Sequence, residues 1–134
     1  MVTPELQAAI DAFRPIAVAA KYNTQRGAYN QCTEASNDFL IVLGEHGITD
    51  ATIEHFEVGI PEDAEDYPPG HFNLGWHWAV RVGPLVIDWT ARQFQPRASF
   101  PLIWECPVRA WRNVDHPEYA SWEEKKRLKT EDAL

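Results

Sequence analysis

The chain has 134 residues, of which 45% are hydrophobic, 12% aromatic and 24% charged, which is typical of one soluble globular domain and excludes collagen, coiled coil and wholesale disorder. Lys and Arg total 12 and Asp and Glu total 20, for a formal net charge of −8. This balance argues against a nucleic-acid partner or an anionic membrane surface, because both bind basic side chains. No Lys or Arg lies between Gly27 and Val80, so the acidic middle of the chain suits a basic partner.

The N-terminal segment and the two cysteines indicate a compartment. The N-terminus has neither the basic start nor the apolar run of a signal peptide, and two cysteines allow at most one disulfide. No apolar run reaches the ~18 residues of a membrane span. We therefore expect a reduced, cytoplasmic protein, and the sequence leaves the oligomeric state open.

The first half of the chain predicts two helices joined by a loop. Thr3 and Pro4 are typical of a helix start, an apolar stripe continues to Phe13, and Pro15 is expected to end or kink this helix. The polar segment 21–31 is predicted to be a loop. The second helix is predicted to begin at Cys32, because apolar or small residues recur from there at the spacing of one helical face.

The clearest strand pair is a β-hairpin over Gly75–Asp88, with its loop at Gly83-Pro84. With that loop, Val82 faces Leu85, and His77 lies diagonally across from Asp88 on the same face. Diagonal Cβ atoms are roughly 7–8 Å apart, a distance that a hydrogen bond between the two side chains can span. A register slip of one residue would separate them.

The remaining predicted elements flank this hairpin. They are a strand over 52–60, an acidic, proline-rich loop over 61–70, an edge strand over 103–114 in which Pro107 favours the edge, and a short charged helix over 118–129. The predicted fold class is α+β, with two or three helices around an antiparallel sheet of about four strands, in a single domain over 1–134.

Three residues suggest nucleophilic catalysis. A helix N-terminus favours the thiolate, so Cys32 suits a nucleophile, and His77 and Asp88 suit the base and the carboxylate that orients it. Each residue also has a structural interpretation: Cys32 as a core residue of its helix, His77 as a polar residue on the wetter face of the sheet, and Asp88 as a turn cap.

These residues resemble a known superfamily. NQCTEASNDFL around Cys32 and GWHWAVRVGPLVIDWTARQF around His77 and Asp88 are similar to papain-like fold enzymes, most of all to transglutaminase-like members, over about 25–94. The resemblance implies a papain-like/transglutaminase-like core, with the Cys-bearing helix packed on an antiparallel β-sheet. Its catalytic-type core would span 25–114, after an N-terminal helix and loop (1–24) and before a charged tail (115–134).

The resemblance also implies roles for these residues. Cys32 would be the nucleophile, His77 the general base and acid, and Asp88 the orienting residue. An oxyanion hole would combine the backbone N–H of Cys32 with a side-chain amide, for which Gln25 is the first choice and Gln31 the second. Cys106 is expected to be a buried structural thiol.

Other cofactor signals are weak. The five histidines show no H-E-x-x-H or paired C-x-x-C spacing, and the glycines form neither G-x-G-x-x-G nor a P-loop. We therefore expect no metal and no cofactor.

The expected function is cysteine-dependent acyl transfer on a protein or peptide substrate, and the acidic charge favours a basic one. Proteolysis, glutamine deamidation and transglutaminase-type cross-linking remain open. The alternative is a non-enzymatic, acidic protein-binding or inhibitory domain on the same fold, which would act through the acids of segment 62–66.

Overall fold

The computed structural model describes residues 2–59, 74–93, 97–105 and 111–113. Over these residues the fold is α+β, with helices and an antiparallel sheet of five strands in the order β4-β3-β2-β1-β5. In chain order the elements are α1 (Pro4–Ala19), α2 (Gln25–Ala28), α3 (Cys32–Glu45), β1 (Thr52–Gly59), β2 (Leu74–Val82), β3 (Leu85–Asp88), a 3₁₀ helix (Ala91–Gln93), β4 (Leu102–Glu105) and β5 (Trp111–Asn113).

Helix α1 begins as predicted and ends later than expected. The Thr3 hydroxyl caps it by accepting a hydrogen bond from the backbone N–H of Leu6 at 3.2 Å. The helix then continues through Pro15 to Ala19, so of the two expected effects of Pro15, an end or a kink, the end is wrong. Proline removes one helical hydrogen bond, and the helix continues beyond it with Ala17 buried on the same face.

The segment 21–31, which the sequence predicts to be a loop, includes a short helix. It contains the four-residue helix α2, whose first turn is capped by the Thr24 hydroxyl, which accepts from the backbone N–H of Gly27 at 2.9 Å. Two non-glycine residues of the segment, Lys21 and Asn30, have positive φ angles of 66° and 59°. The backbone that leads into α3 therefore has a defined conformation, set by the short helix and by the two residues with positive φ.

The predicted hairpin and its register are confirmed. Strands β2 and β3 pair antiparallel with Val82 opposite Leu85 and Val80 opposite Ile87. The two-residue turn has Gly83 at φ 58°, a conformation that glycine adopts without steric cost. The predicted strand over 52–60 corresponds to β1, which pairs with the other edge of β2.

The single strand predicted over 103–114 is wrong. The chain forms two strands there, β4 beside β3 and β5 beside β1, at opposite edges of the sheet. Pro107 lies in the sequence between them, and its missing N–H favours an interruption of strand pairing. The expectation of an edge position holds for both strands, and the sheet has five strands instead of about four.

Both faces of the central strands are buried. On one face, residues such as Val80 and Ile87 pack with α1 and α3, and α3 also packs against β1 and β2. The opposite face carries His77 and Asp88, which are 0% and 2% exposed. The interpretation of His77 as a residue on a wetter face is therefore wrong.

Some expectations concern residues outside the described ranges: the acidic loop 61–70, the charged helix 118–129, the tail 115–134 and Cys106. Among the residues that are described, no helix combines the length and the apolar character needed to cross a membrane.

Candidate active site

Cys32 is the first residue of α3, as predicted. Gln31 precedes it at the N-cap and makes no side-chain capping bond. The first backbone bond of the helix runs from the N–H of Ala35 to the carbonyl of Gln31 at 2.8 Å, so the N–H groups of residues 32–34 have no partner within the helix. Cys32 is a free, half-buried cysteine at the positive end of a 14-residue helix, an environment that favours a thiolate.

One strand residue, Trp78, fixes the start of α3 against the sheet. The Ser36 hydroxyl donates to the Trp78 carbonyl at 3.4 Å, and the Trp78 backbone N–H is hydrogen-bonded to the Cys32 thiol. Residues four apart lie on the same helical face. Cys32 and Ser36 can therefore both contact the backbone of Trp78. Trp78 directly follows His77, so these contacts place the thiol beside the imidazole.

Asp88 ends β3 and turns the chain with its own side chain. Its Oδ1 accepts from the backbone N–H of Thr90 at 2.9 Å and from the Thr90 hydroxyl at 3.3 Å. A carboxylate that accepts from the N–H two residues later forms an Asx turn. The interpretation of Asp88 as a turn cap therefore holds for one oxygen and leaves the other free for another role.

That other oxygen binds His77. Nε2 of His77 lies 2.6 Å from Oδ2 of Asp88, and both side chains are buried. This confirms the hydrogen bond that the hairpin register predicts. Because Nε2 faces Asp88, the hydrogen bond between His77 and the Cys32 thiol falls to Nδ1.

The electrostatics of the pair favour charge separation. Burial raises the pKa of Cys32. The hydrogen bond and the charge of His77 lower it more, together with hydrogen bonds from the Trp78 backbone and Thr33, so the pKa of Cys32 lies below its ordinary value of 9.0. Burial lowers the pKa of His77. The charge and the hydrogen bond of Asp88 raise it, as do the hydrogen bond and the charge of Cys32, so the pKa of His77 rises from 6.5 to about 9. A thiolate beside an imidazolium is the state that these opposite shifts favour.

The side chains proposed for an oxyanion hole lie near this group. Gln25 is exposed at the start of α2, and its Nε2 donates to the backbone carbonyl of Gln93 at 3.5 Å. Gln31 is half-buried directly before Cys32. The side chain of Gln25 thus contacts Gln93, Gln31 is the chain neighbour of Cys32, and the role of both as oxyanion donors stays a prediction.

Sequence reasoning missed Gln93. Its side-chain Nε2 lies 3.2 Å from Nδ1 of His77, and its Oε1 accepts from the backbone N–H of Asn30 at 3.4 Å. In the sequence, Gln93 is marked only by its position shortly after Asp88, and its partners Asn30 and His77 lie on other elements. Thr90, which orients Asp88, belongs to the stretch around His77 and Asp88 on which the resemblance rests.

Over the described ranges, no group of three or more His, Cys, Asp or Glu side chains is arranged to hold a metal ion. The contacts of Cys32, His77 and Asp88 bring together a thiol, an imidazole and a carboxylate, which together can carry out nucleophilic chemistry at a carbonyl carbon.

Comparison with known proteins finds no family model, no curated protein and no solved structure that matches this chain. The resemblance to papain-like and transglutaminase-like enzymes therefore stays a prediction that rests on the residues around Cys32, His77 and Asp88.

Proposed function

We propose that this protein is a cysteine-dependent acyl-transfer enzyme on a papain-like core, with Cys32 as nucleophile, His77 as general base and acid, and Asp88 as the residue that orients His77. The observation that carries the proposal is the buried 2.6 Å hydrogen bond between His77 and Asp88, beside a thiol at a helix start. A buried carboxylate is costly unless it is paired, and here it is paired with the imidazole that contacts the only cysteine in the described ranges.

In the first half of the reaction, the Cys32 thiolate attacks the carbonyl carbon of an amide. The C–S bond forms and the carbonyl electron pair moves to oxygen, where the backbone N–H of Cys32 and the side-chain amide of Gln25 or Gln31 stabilise the negative charge. The His77 imidazolium then donates its proton to the leaving nitrogen as the C–N bond breaks. The products are an amine, a thioester on Cys32 and a neutral His77.

In the second half, neutral His77 takes a proton from a water molecule whose oxygen attacks the thioester carbonyl. The C–S bond breaks and the acid is released, which restores the Cys32 thiolate and the His77 imidazolium. The Asp88 carboxylate holds the proton-bearing Nε2 and stabilises the positive charge of the imidazolium. The net reaction is amide plus water to acid plus amine.

Hydrolysis of a protein or peptide amide is the form that we favour, either of a backbone amide, as in a protease, or of a glutamine side chain, as in a deamidase. The net charge of −8 suits a basic substrate. Transglutaminase-type transfer uses the same steps, with a primary amine in place of water. New amino termini, released ammonia and an incorporated labelled amine distinguish the three outcomes.

A non-enzymatic binding domain is the weaker alternative. The acids of segment 62–66 on which it depends lie outside the described residues. Glu54, another acid of the middle of the chain, is 3% exposed and lies 3.6 Å from Arg81, so it adds nothing to an exposed acidic surface. The aligned His77 and Asp88 have no purpose in a binding domain, which favours the enzyme.

An activated ester tests the proposal without knowledge of the natural substrate. With p-nitrophenyl acetate, we expect a rapid burst of p-nitrophenolate and an acetyl group on Cys32, located by peptide mass spectrometry. The burst should be absent in Cys32→Ala and retained in the matched control Cys106→Ala. In His77→Ala, acylation should slow by about 10²–10⁴-fold, the range for loss of a general base.

Two results would overturn the proposal. One is a wild-type protein that releases p-nitrophenolate no faster than Cys32→Ala. The other is acetylation confined to Cys106 with the burst intact in Cys32→Ala. Either result would show that Cys32 is not the nucleophile. Thermal unfolding of the same samples is the control that each variant is folded.

A further inference from the structure

Gln93 connects the segment before the nucleophile with the imidazole. It ends the 3₁₀ helix Ala91–Gln93, where its backbone N–H is bonded to the Thr90 carbonyl at 3.1 Å. Its backbone carbonyl accepts from Gln25, and its side chain contacts Asn30 and His77, which are 63 and 16 residues away in the chain. Gln93, which is half-buried, therefore links the segment before α3 to the end of β3 and to His77 in β2.

The contact with Asn30 decides which way the amide of Gln93 points. A backbone N–H can only donate, so the Asn30 N–H requires the carbonyl oxygen Oε1 in front of it, at 3.4 Å. The amino group Nε2 then faces Nδ1 of His77 at 3.2 Å. The opposite orientation would place two donors against each other at Asn30. Asn30 itself has φ 59°, a conformation that asparagine tolerates better than most residues.

An amino group can only donate, so its hydrogen bond to Nδ1 forms only in the state in which His77 is a neutral imidazole, with the ring proton on Nε2 toward Asp88. The Cys32 thiol uses the same nitrogen, since Nε2 is occupied by Asp88 at 2.6 Å. When the thiol gives its proton to Nδ1, the ring N–H and the Gln93 amino group become two donors facing each other. Gln93 therefore favours the neutral thiol and imidazole over the charged pair.

We propose that Gln93 is a positioning residue of this site, whose side-chain amide, oriented by the backbone N–H of Asn30, donates to Nδ1 of His77 and competes with the Cys32 thiol for that nitrogen. The inference rests on the proposed function, because it assumes a working pair of Cys32 and His77. The titratable groups that act on His77 are Asp88 from β3 and Cys32 from α3. Gln93 is uncharged, and it acts through the choice of protonated nitrogen.

Two substitutions at Gln93 should move the reactivity of Cys32 in opposite directions. Gln93→Leu removes the donor and leaves Nδ1 to the thiol, so the pKa of Cys32 should fall and alkylation by iodoacetamide at pH 6 should become about fivefold faster, the size of one ordinary hydrogen bond. Gln93→Glu keeps the size and the acceptor for Asn30 but puts a negative charge at Nδ1. The carboxylate competes for the imidazolium proton and repels the thiolate, so alkylation should become about fivefold slower or more.

The measurement is the pH profile of Cys32 alkylation, followed by peptide mass spectrometry, with thermal unfolding to establish that each variant is folded. Gln7→Leu, an exposed glutamine of α1, is the matched control and should leave the profile unchanged. If Gln93→Leu fails to fold, Gln93→Glu alone still tests the direction in which the rate of Cys32 alkylation changes. A mere packing role for Gln93 would not produce opposite shifts.

The outcomes separate the two proposals. If both Gln93 variants follow the wild-type profile, or if Gln93→Leu slows alkylation because the amide donates to the thiolate, the inference about Gln93 is wrong and the proposed function stands. If His77→Ala also leaves the profile unchanged, the pair of Cys32 and His77 does not exist, and the proposed function falls with it.

Discussion

Asp88 uses both of its carboxylate oxygens, and this sets the geometry of the site at the scale of single residues. Oδ2 faces Nε2 of His77, and Oδ1 accepts from the backbone N–H and the hydroxyl of Thr90. The first contact orients the imidazole and the second orients the carboxylate. An amide at this position cannot do both, because asparagine has only one accepting atom.

Asp88→Asn should therefore impair the site although it preserves the shape of the side chain. Whichever way the amide turns, its amino group faces a donor, either Nε2–H of His77 or the N–H of Thr90. We expect Cys32 alkylation at pH 7 to slow at least about tenfold, and the unfolding free energy to fall by about 1–3 kcal/mol for a buried group left without a partner. Alkylation kinetics and urea denaturation measure the two effects.

The exposed acid Asp50 supplies the matched control. Asp50→Asn makes the same chemical change without a buried partner and should leave both measurements close to wild type. If Asp88→Asn behaves like this control in both, the hydrogen bond between His77 and Asp88 does not position the imidazole.

At the scale of elements, the segment between α1 and α3 delivers the nucleophile to the sheet. Its path depends on a close approach at Gly27, where an added Cβ would overlap the carbonyl oxygen of Lys21 and lie 2.7 Å from the hydroxyl of Thr24. The first of these neighbours is backbone, so the chain itself would have to move. Gly27 therefore permits the turn that leads from α1 through α2 to Asn30 and Cys32.

Two glycine substitutions should have opposite effects on stability. Gly27→Ala forces the segment apart and should lower the unfolding free energy by about 1–3 kcal/mol. Gly44→Ala, inside α3 where a Cβ meets nothing within 4 Å, should raise it by about 0.5–1 kcal/mol, because alanine favours the helix. Urea denaturation of the two variants measures both changes. A Gly27→Ala protein as stable as Gly44→Ala would contradict the close approach.

At the scale of the whole molecule, the site lies where the start of α3 meets strands β2 and β3. The core on one face of the sheet includes edge-to-face contacts of Trp89 with Phe13 and Phe39, at 4.9 Å and 5.4 Å between ring centroids. Trp89 lies between Asp88 and Thr90 in the chain. The same strand end therefore anchors the hydrophobic core and orients the carboxylate, which gives the site a rigid support.

Much of this arrangement follows from local sequence signals. The hairpin register comes from a glycine turn between two apolar runs, and the register alone puts His77 and Asp88 on one face. The start of α3 at Cys32 comes from the spacing of its apolar residues. Both depend on residues that are near each other in the chain, where periodicity and turn chemistry decide the structure.

The features that sequence reasoning missed depend on distant contacts. Helix α1 continues past Pro15 with Ala17 buried in the core, and the segment that was expected to be one strand over 103–114 divides between two sheet edges. Gln93 gains its place from Asn30 and His77, on other elements. A single sequence carries no direct record of such pairings, so propensity alone could not reveal them.

The central claim is that His77 activates the Cys32 thiol, and the most direct measurement is the pH dependence of alkylation at Cys32 and Cys106 separately, in the wild type and in His77→Ala. Because His77 lowers the pKa of Cys32, the wild-type thiol should react rapidly well below pH 8. In His77→Ala the hydrogen bond and the charge that His77 supplies against burial are lost, so the Cys32 profile should move to higher pH while that of Cys106 stays in place. A Cys32 that is inert until the protein unfolds, or whose profile is the same without His77, would contradict the account.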